Sequence, residues 1–381
     1  MHQGFAELRR SDPVHWQEMS DEPGFWAVLR HADAVHVSRH PELFSSWFGG
    51  VTLEDPEPAS LEDSRRTLLV MDPPQHTAYR QPLAPHFGPG VVGAMECQIR
   101  ARCRELLDAA SDRHDSDFCH DIAGPLPSET IAAMMGLPRE DTALIRRWSE
   151  VMLAGQDQEI ASGYAGSASL DMMTYAMGWA AERRVQSRRD DITSLLLEAT
   201  FEDGRSMSDL EFGSFFVQLV AAGNDTTRTL ISSGTAELLL HPGQLDSLRR
   251  EPQLIGTAVE EMLRFCPPMH YLRRTAAVDT DLGATRVRAG EKVAIFYTSA
   301  NRDEEVFTDP QSFDVRRSPN PHLSFGIGPH FCLGAHVARL QARVFLEELL
   351  SFRTIEPTGP PSRVRSNLTN GYRRMPIRLS R

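Results

Sequence analysis

Apolar residues recur at helical spacing along most of the chain and at alternating positions in only a few short stretches. From about residue 90 to 240 the apolar positions fall three and four apart, which predicts a mostly helical region. Short strands are predicted at 14–16 and 25–29, and a helix at 31–38. Between 275 and 296 the pattern changes to alternation with glycine turns, which predicts a small antiparallel sheet. We therefore expect a mainly α fold with a minor antiparallel β portion.

The remaining sequence shows no clear domain boundary. Residues 298–331 are poor in periodicity and rich in Asn, Asp and Pro, so they predict a long ordered loop. A helix is predicted to resume after Gly334 and to run to about Leu350, and strand-like pieces finish the chain. With no internal repeat and no low-complexity linker, the sequence predicts one domain over residues 1–381.

One long helix is predicted to begin at Ser208 and to end before Pro242. Ser208 with Glu211 is a capping box, and a proline does not continue a helix. The stretch "AAGNDTT" within it contains a glycine, followed by an acid and an alcohol at Asp225 and Thr226. Because such side chains compete for backbone hydrogen bonds, we expect a local opening of the helix here. The alternative is an ordinary buried helix that tolerates one polar turn.

Composition and charge narrow the classes of function. The formal charge of −12 disfavours nucleic acid as a partner, because phosphate binding favours a positive surface. The N-terminus lacks the apolar core of a signal peptide, and no apolar run approaches the ~18 residues that span a bilayer. We expect a cytoplasmic monomer without a membrane span. The five cysteines show no CxxC spacing, which argues against a disulfide framework or a zinc site: Cys97, Cys103, Cys119, Cys266 and Cys332.

The stretch "SFGIGPHFCLG", residues 324–334, surrounds Cys332 with glycines. Gly326, Gly328 and Gly334 allow tight turns and close approach of the backbone to a flat partner. Apolar residues at helical spacing follow, so the sulfur lies before a helix N-terminus, where the helix dipole favours a thiolate. A thiolate without a second ligand at zinc spacing indicates a metal whose other ligands come from a cofactor. Haem iron with one axial thiolate meets that description.

The spacing Phe325-x-x-Gly328-x-x-x-Cys332-x-Gly334 resembles the haem-binding signature of the cytochromes P450. A single cysteine is more often a buried structural residue, but the whole pattern favours the haem loop. By this resemblance Phe325, Gly328 and Gly334 would contact haem, and Cys332 would be the metal ligand. One departure is Ile327, at a position where many bacterial members carry histidine.

The resemblance implies the cytochrome P450 fold, heme b as cofactor, and insertion of one oxygen atom from O2 into a small-molecule substrate that is apolar and bulky. "AGNDTT", residues 222–227, is similar to the oxygen-activation segment of these enzymes. There Thr226 would hydrogen-bond to the oxygen under activation, Asp225 would relay protons from solvent, and Ala222 would lie against haem. Five positions correspond to the substrate pocket of the family: Ala221, Ala222, Met269, Leu272 and Thr369.

"EEMLR", residues 260–264, places Glu261 and Arg264 on one helical face. Such a pair is usually a surface ion pair. Its distance from the cysteine loop matches the structural ion pair of the cytochromes P450. The resemblance implies a third partner, either Arg316 or Arg317.

"HTAYR", residues 76–80, places His76 and Arg80 on one helical face. Arginine suits bidentate recognition of carboxylates, and haem carries two propionates. The resemblance implies that His76, Arg80, Arg274 and His330 hold those propionates, although Arg273 adjoins Arg274. The alternative is a solvated His/Arg pair.

Electrons would come from another protein, because the chain contains no flavin or iron–sulfur motif. The resemblance implies a ferredoxin and its ferredoxin reductase. Two arginine clusters are candidates for the face that docks an acidic ferredoxin, although a solvated helix face has the same pattern: Arg339 with Arg343, and Arg100 with Arg102 and Arg104.

Two features of the sequence indicate the substrate class: the small alanine side chains of the predicted pocket, and the resemblance of two segments to known members of the family. Alanines beside haem would leave room for a bulky or long apolar molecule. "FYTSANRDEEVF" and "AGNDTTR" are similar to bacterial, chiefly actinobacterial, members that hydroxylate sterol side chains, terpenoids and branched lipids. Two alternatives stay open: tailoring of a natural product such as a polyketide or a carrier-bound amino acid, and a haem-thiolate protein with a non-monooxygenase function. Asp225 and Thr226 favour a monooxygenase, because a sensor needs no proton delivery.

Overall fold

The computed structural model describes residues 1–113, 115–153, 157–161, 164, 166–199 and 204–381. Contacts within the chain divide it into two units, which we call the sheet unit and the helical unit. The sheet unit comprises residues 1–81, 269–312 and 320–333. The helical unit comprises residues 82–268, 313–319 and 334–381. The single domain expected over residues 1–381 stays a prediction.

The elements are mainly helical, as the apolar spacing predicts. The helices are α1 (His2–Ser11), α2 (His31–Arg39), α3 (Pro58–Ser64), α4 (Gln75–Arg80), α5 (Pro89–Gly93), α6 (Glu96–Ser111), α7 (Pro125–Met134), α8 (Thr142–Met152), α9 (Gln158–Ala161), α10 (Ala168–Arg184), α11 (Ile192–Glu198), α12 (Asp209–Leu240), α13 (Pro242–Arg250), α14 (Ile255–Phe265), α15 (Tyr297–Ala300) and α16 (Ala335–Leu349). The strands are β1 (Val14–Gln17), β2 (Phe25–Val28), β3 (Phe44–Ser45), β4 (Ser116–Asp117), β5 (Tyr271–Ala276), β6 (Thr280–Leu282), β7 (Thr285–Val287), β8 (Lys292–Phe296), β9 (Thr354–Pro357), β10 (Ser362–Arg363), β11 (Tyr372–Arg374) and β12 (Pro376–Ser380). A π-helix spans Phe118–Ala123, and single 3-10 turns lie at Ala84–Phe87, Arg139–Asp141 and Pro252–Leu254.

The sheet unit is built on a five-stranded sheet with the order β1-β2-β8-β5-β3. Its neighbouring strands are antiparallel except for β2 and β8, which run parallel with Phe25 opposite Lys292. These two strands are far apart in sequence, so no short turn fixes their relative direction. The core on this sheet includes Val28, Phe44 and Ile295, all of them fully buried. The minor β portion is therefore present, and it contains one parallel pairing that the sequence pattern did not predict.

The helical unit is organised around α12. The capping box of Ser208 and Glu211 forms at its start, and the helix ends at Leu240, as predicted. Helix α12 packs against α7, α8, α10, α14 and α16, and most of its side chains are buried. Two small sheets lie in this unit, one pairing β10 with β11 and one with the order β4-β12-β9. Within the described residues, none of the helices combines the length and the apolar character needed to cross a membrane.

Helix α12 is continuous through Asp225 and Thr226, so the predicted local opening is wrong. The Thr226 hydroxyl donates a hydrogen bond to the carbonyl of Ala222, 2.6 Å away and one turn earlier. The Asp225 carboxylate is bound by the side chain of Arg228 instead of competing for backbone amides. Both polar groups are therefore accommodated without breaking the helix.

Candidate functional site

The loop before α16 holds Cys332 through backbone hydrogen bonds within the sheet unit. The amide of Cys332 donates to the carbonyl of Phe325 at 2.8 Å, and the amide of Phe331 donates to that of Gly328 at 3.0 Å. Gly326 and Gly328 have φ values of 66° and 79°, a region that disfavours other residues. A Cβ on Gly328 would also lie 2.6 Å from the carbonyl oxygen of Ser38. Both glycines are therefore required by the shape of the loop, and Cys332 is exposed on it.

Gly334 differs from the other two loop glycines. Its φ is −84°, and a Cβ added there would have no atom within 4 Å. The backbone of this structure therefore does not demand glycine at this position. The predicted role of Gly334 in close approach to haem stays a prediction.

Four basic side chains meet in the sheet unit near the cysteine loop. The rings of His76 and His330 lie 4.4 Å apart, centre to centre. Arg80 donates to the carbonyl of Phe331 at 2.7 Å. Burial, together with the charges of Arg80 and Arg274, lowers the pKa of His76 to about 4 and that of His330 to about 2. The predicted cluster of His76, Arg80, Arg274 and His330 is therefore assembled, with both histidines neutral near pH 7.

This cluster fits an anionic group. Arg80 and Arg274 form no ion pair with a carboxylate among the described residues, and burial lowers the pKa of each guanidinium. The Nε2 atom of His330 is buried without a hydrogen-bond partner. The nearby Asp72 is occupied by the hydroxyl of Ser45 and the amide of Ser46. Two haem propionates would balance the unmatched positive charge of the arginines, and they would give the ring nitrogen of His330 a hydrogen-bond partner.

The structure also distinguishes Arg274 from its neighbour. Arg273 is bound to Asp55 at 2.6 Å and to backbone carbonyls of the same segment. Lys292, the only lysine of the chain, joins this network through Asp55 at 2.9 Å and Glu22 at 2.7 Å. Arg273 is therefore committed to anchoring residues near 55 to the sheet. This supports Arg274 as the member of the basic cluster.

Helix α12 of the helical unit presents an open face and a buried face. Ala222 is exposed and Thr226 is partly exposed, one turn apart, whereas Asn224 and Asp225 are buried. Asp225 forms an ion pair of 2.8 Å with Arg228, which is also buried. Sequence reasoning missed Arg228, although its position three residues after Asp225 is a spacing at which helical side chains meet.

Glu261 and Arg264 form a bidentate ion pair inside the helical unit. Both nitrogen–oxygen distances are 2.8 Å, and both side chains are 0% exposed. Arg317 donates to Glu261 at 3.2 Å, and the amide of Asp314 donates to it at 2.9 Å. Arg316 instead pairs with Glu251 at the surface. The third partner is therefore Arg317, and the pair ties α14 to the segment that follows Phe313.

The five predicted substrate positions fall into both units. In the helical unit, Ala221 is buried, Ala222 is exposed, and Thr369 is buried with its hydroxyl lacking a hydrogen-bond partner. In the sheet unit, Met269 and Leu272 are partly buried, and Leu272 packs against the sheet core. Their roles in substrate binding stay predictions.

The two arginine clusters considered for ferredoxin docking are ion-paired. Arg339 binds Glu260 through two hydrogen bonds of 2.7 and 2.8 Å. Each of the other four arginines also has a glutamate partner, which leaves little unbalanced positive charge. The pairs are Arg343 with Glu96 and Glu347, Arg100 with Glu96, Glu347 and Glu348, Arg104 with Glu348, and Arg102 with Glu105 and Glu129. The structure favours the alternative, a solvated helix face, on which neighbouring glutamates balance the arginines.

The chain is similar to known enzymes over nearly its whole length. It is 37% identical to a steroid C26-monooxygenase of Mycolicibacterium smegmatis, over 97% of this chain and 88% of the relative. It is 38% identical to a methyl-branched lipid omega-hydroxylase of Mycobacterium tuberculosis, over 99% of this chain and 90% of the relative. It is 35% identical to a linalool 8-monooxygenase of Pseudomonas putida, over 99% of this chain and 95% of the relative.

The chain is also similar to solved structures and to a family model. A Mycobacterium marinum cytochrome P450 in complex with pseudoionone has a TM-score of 0.91 and 37% identity, covering 99% of this chain and 94% of that one. A P450 in complex with an acyl carrier protein ligated to hexadec-9Z-enoic acid has a TM-score of 0.89 and 28% identity, covering 100% of this chain and 98% of that one. Residues 168–368 match the family model described as cytochrome P450. The fold, the cysteine loop and these relatives together place the chain in the cytochrome P450 family, whose members bind haem and act as monooxygenases.

Proposed function

We propose that this cytochrome P450 monooxygenase oxidises a bulky apolar substrate of the sterol, terpenoid or branched-lipid type, with electrons from a separate ferredoxin and its reductase. The observation that carries the substrate class is the set of relatives. Three of them, at 35–38% identity over nearly the whole chain, are named for a steroid, a methyl-branched lipid and linalool. All three substrate names denote molecules with a large apolar surface, which suits the small side chains of Ala221 and Ala222.

The residues of the sheet unit would bind and tune haem. Haem, when bound, would supply the activation of O2, and thiolate ligation of its iron would favour this chemistry. Cys332 would supply that thiolate, from a loop whose turns at Gly326 and Gly328 leave the sulfur exposed. His76 and His330, neutral near pH 7, would donate hydrogen bonds to propionates, while Arg80 and Arg274 would supply the positive charge.

The residues of the helical unit would deliver protons. Thr226 lies on the open face of α12, and its hydroxyl oxygen keeps an acceptor site while it donates to the carbonyl of Ala222. Asp225, the residue before Thr226, is a buried acid. A hydroxyl that orders water, next to a carboxylate that exchanges protons, is the equipment that such a reaction requires.

Replacing Thr226 with alanine should uncouple electron consumption from oxidation. Loss of the hydroxyl removes the group that holds a proton donor in place, and positioned proton transfer contributes roughly 100-fold or more. We expect product per electron pair to fall about tenfold or more, with hydrogen peroxide accounting for the difference. The conservative variant Thr226→Ser keeps the hydroxyl and should stay mostly coupled. Full coupling in Thr226→Ala would show that the hydroxyl has no such role.

A second candidate function is the oxidation of a carrier-bound acyl chain. The solved complex with an acyl carrier protein supports it, although at 28% identity its resemblance to this chain is lower than that of the three relatives. The two candidates differ in whether the carrier contributes to binding. A free lipid would bind this protein directly, whereas a carrier-bound substrate would bind only with its carrier attached.

A substrate panel read by the haem absorption band distinguishes these candidates. The panel comprises sterols, terpenes, branched fatty acids, and one fatty acid both free and attached to an acyl carrier protein. We expect free sterols, terpenes or branched lipids to shift the band, because an apolar ligand displaces water from the pocket. A shift with the carrier-attached chain alone would replace this proposal with the second candidate.

A further inference from the structure

Two histidines lie one turn apart at the C-terminal end of α2. His36 and His40 are both partly exposed, and the centres of their rings are 4.3 Å apart, with an angle of 38° between the ring planes. Side chains four residues apart on a helix share a face. Imidazole is the commonest side-chain ligand of metal ions and suits zinc, copper and nickel. The pair therefore has the spacing of a chelating site on one helix.

Neighbouring groups fix the orientation of both rings. Nδ1 of His40 lies 2.8 Å from the backbone carbonyl oxygen of His36. Because a carbonyl only accepts, this nitrogen carries the proton, which leaves the lone pair of Nε2 for a metal ion. The ring of His36 packs edge to face against Phe44, which is fully buried, with 6.0 Å between the ring centres. The ring of His36 makes no hydrogen bond to the described residues, so its nitrogens are also available.

The separation of the two rings suits a metal ion whose ligands lie at right angles. An ion about 2.1 Å from one nitrogen of each ring would place the ring centres about 4.6 Å apart at a right angle and about 5.3 Å apart at the tetrahedral angle. The observed 4.3 Å is nearer to the first value, which is the geometry that Ni²⁺ and Cu²⁺ prefer. Within the described residues no group of three or more His, Cys, Asp or Glu side chains is placed to hold a metal ion, so water would fill the other coordination positions.

The surroundings of the pair favour a cation. Helix α2 is nine residues long and ends at Arg39, so both rings lie at the negative end of the helix dipole. Asp33, almost one turn before His36, is close enough for their charges to interact. Arg39 has the opposite effect, but its side chain is exposed, where water and salt screen its charge.

Helix α2 also supports the cysteine loop within the sheet unit. The carbonyl oxygen of Ser38 lies against Gly328, only 2.6 Å from the position of an added Cβ. The ring of His31, at the start of α2, is 2.8 Å from the carbonyl oxygen of Pro321, in the segment that leads into the loop. Contacts at both ends thus hold α2 beside the residues that carry Cys332. Because helix ends open more readily than helix centres, a metal ion that links the histidine pair would keep the last turn of α2 closed.

We propose that His36 and His40 form a site for one divalent transition-metal ion of the Ni²⁺ or Cu²⁺ type, and that the bound ion stabilises the cysteine loop by holding the end of α2 in place. Each ring contributes one nitrogen, which is Nε2 in His40, and water completes the coordination. Both rings must be neutral to bind, so acid releases the ion. The inference concerns the sheet unit alone and does not depend on the substrate.

The first test is a calorimetric titration of the haem-loaded enzyme with Ni²⁺ near neutral pH. His36→Ala and His40→Ala should each weaken binding at this site by roughly 100-fold, because a single ring loses the advantage of chelation. The matched control is His120→Ala, which removes an exposed histidine outside α2 and should bind as the wild type does. Equal Ni²⁺ binding in all three variants would overturn the proposal.

The unaltered enzyme gives a second measurement that does not depend on the folding of any variant. With one equivalent of Ni²⁺, X-ray absorption at the nickel edge should show two imidazole ligands together with water oxygens. A spectrum with one imidazole or none would contradict the site.

Transfer of haem to excess apomyoglobin tests the effect on the cysteine loop. At a Ni²⁺ concentration ten times its dissociation constant, we expect the rate of haem loss to fall by up to about tenfold, because the ion binds only while the last turn of α2 is closed. The rate in His40→Ala should not respond to Ni²⁺. An unchanged rate in the wild type with Ni²⁺ bound would refute the link between the site and the loop. Neither experiment uses substrate, so these outcomes are distinct from failure of the proposed function.

Discussion

Replacing Cys332 with serine should abolish both the red-shifted carbonyl absorption of thiolate-bound ferrous haem and product formation. A serine hydroxyl is not deprotonated near pH 7, so it cannot supply the electron density of a thiolate to the iron. The loop itself should survive the change, because its shape depends on Gly326, Gly328 and backbone hydrogen bonds. We therefore expect a folded protein that still binds haem but lacks the characteristic spectrum.

The exposed Cys97 provides the matched control for this experiment. Cys97→Ser makes the same chemical change on α6, at a cysteine outside the loop. It should keep the carbonyl spectrum and the activity of the wild-type enzyme. Retention of the red-shifted band in Cys332→Ser would show that another residue ligates the iron.

Features fixed by a few neighbouring residues could be predicted from the sequence. The start of α12 follows from the capping box of Ser208 and Glu211, and its end follows from Pro242. The turns of the cysteine loop follow from glycines at positions where φ is positive. The parallel pairing of β2 with β8 could not be predicted, because it joins segments separated by more than half of the chain.

The sequence did not predict which charged side chains pair with one another in the tertiary structure. The sequence left Arg316 and Arg317 as alternatives, and the fold directs only Arg317 toward Glu261. The arginines of α6 and α16 formed two basic clusters in sequence, but glutamates of α6, α7, α14 and α16 pair with them. Glu150 on α8 lies 3.9 Å from the guanidinium of Arg228, and the sequence could not pair them because the two residues lie on different helices. Spacing in the sequence indicates which side chains share a helix face. The tertiary structure is needed to show which residues of other elements contact that face.

Replacing Glu261 with glutamine should destabilise the folded protein far more than any surface ion-pair change. Glutamine would remove the charge of the buried carboxylate that pairs with the guanidinium of Arg264, which is 0% exposed, and with that of Arg317. Removing one partner of a buried ion pair costs about 3–5 kcal/mol. We expect a loss of that size in the free energy of unfolding, measured by denaturant titration, together with poor haem retention.

The surface pair of Arg316 and Glu251 gives a control only one residue away from Arg317 in sequence. Glu251→Gln makes the same chemical change at the protein surface, where an ion pair contributes about 0–1 kcal/mol. Both glutamates bind arginines of the same segment, but Glu261 is buried and also binds Arg264, whereas Glu251 lies at the surface. If the two variants lost similar stability, Glu261 would not be holding α14 to the segment after Phe313, and the two buried guanidiniums would have to be stabilised by other groups.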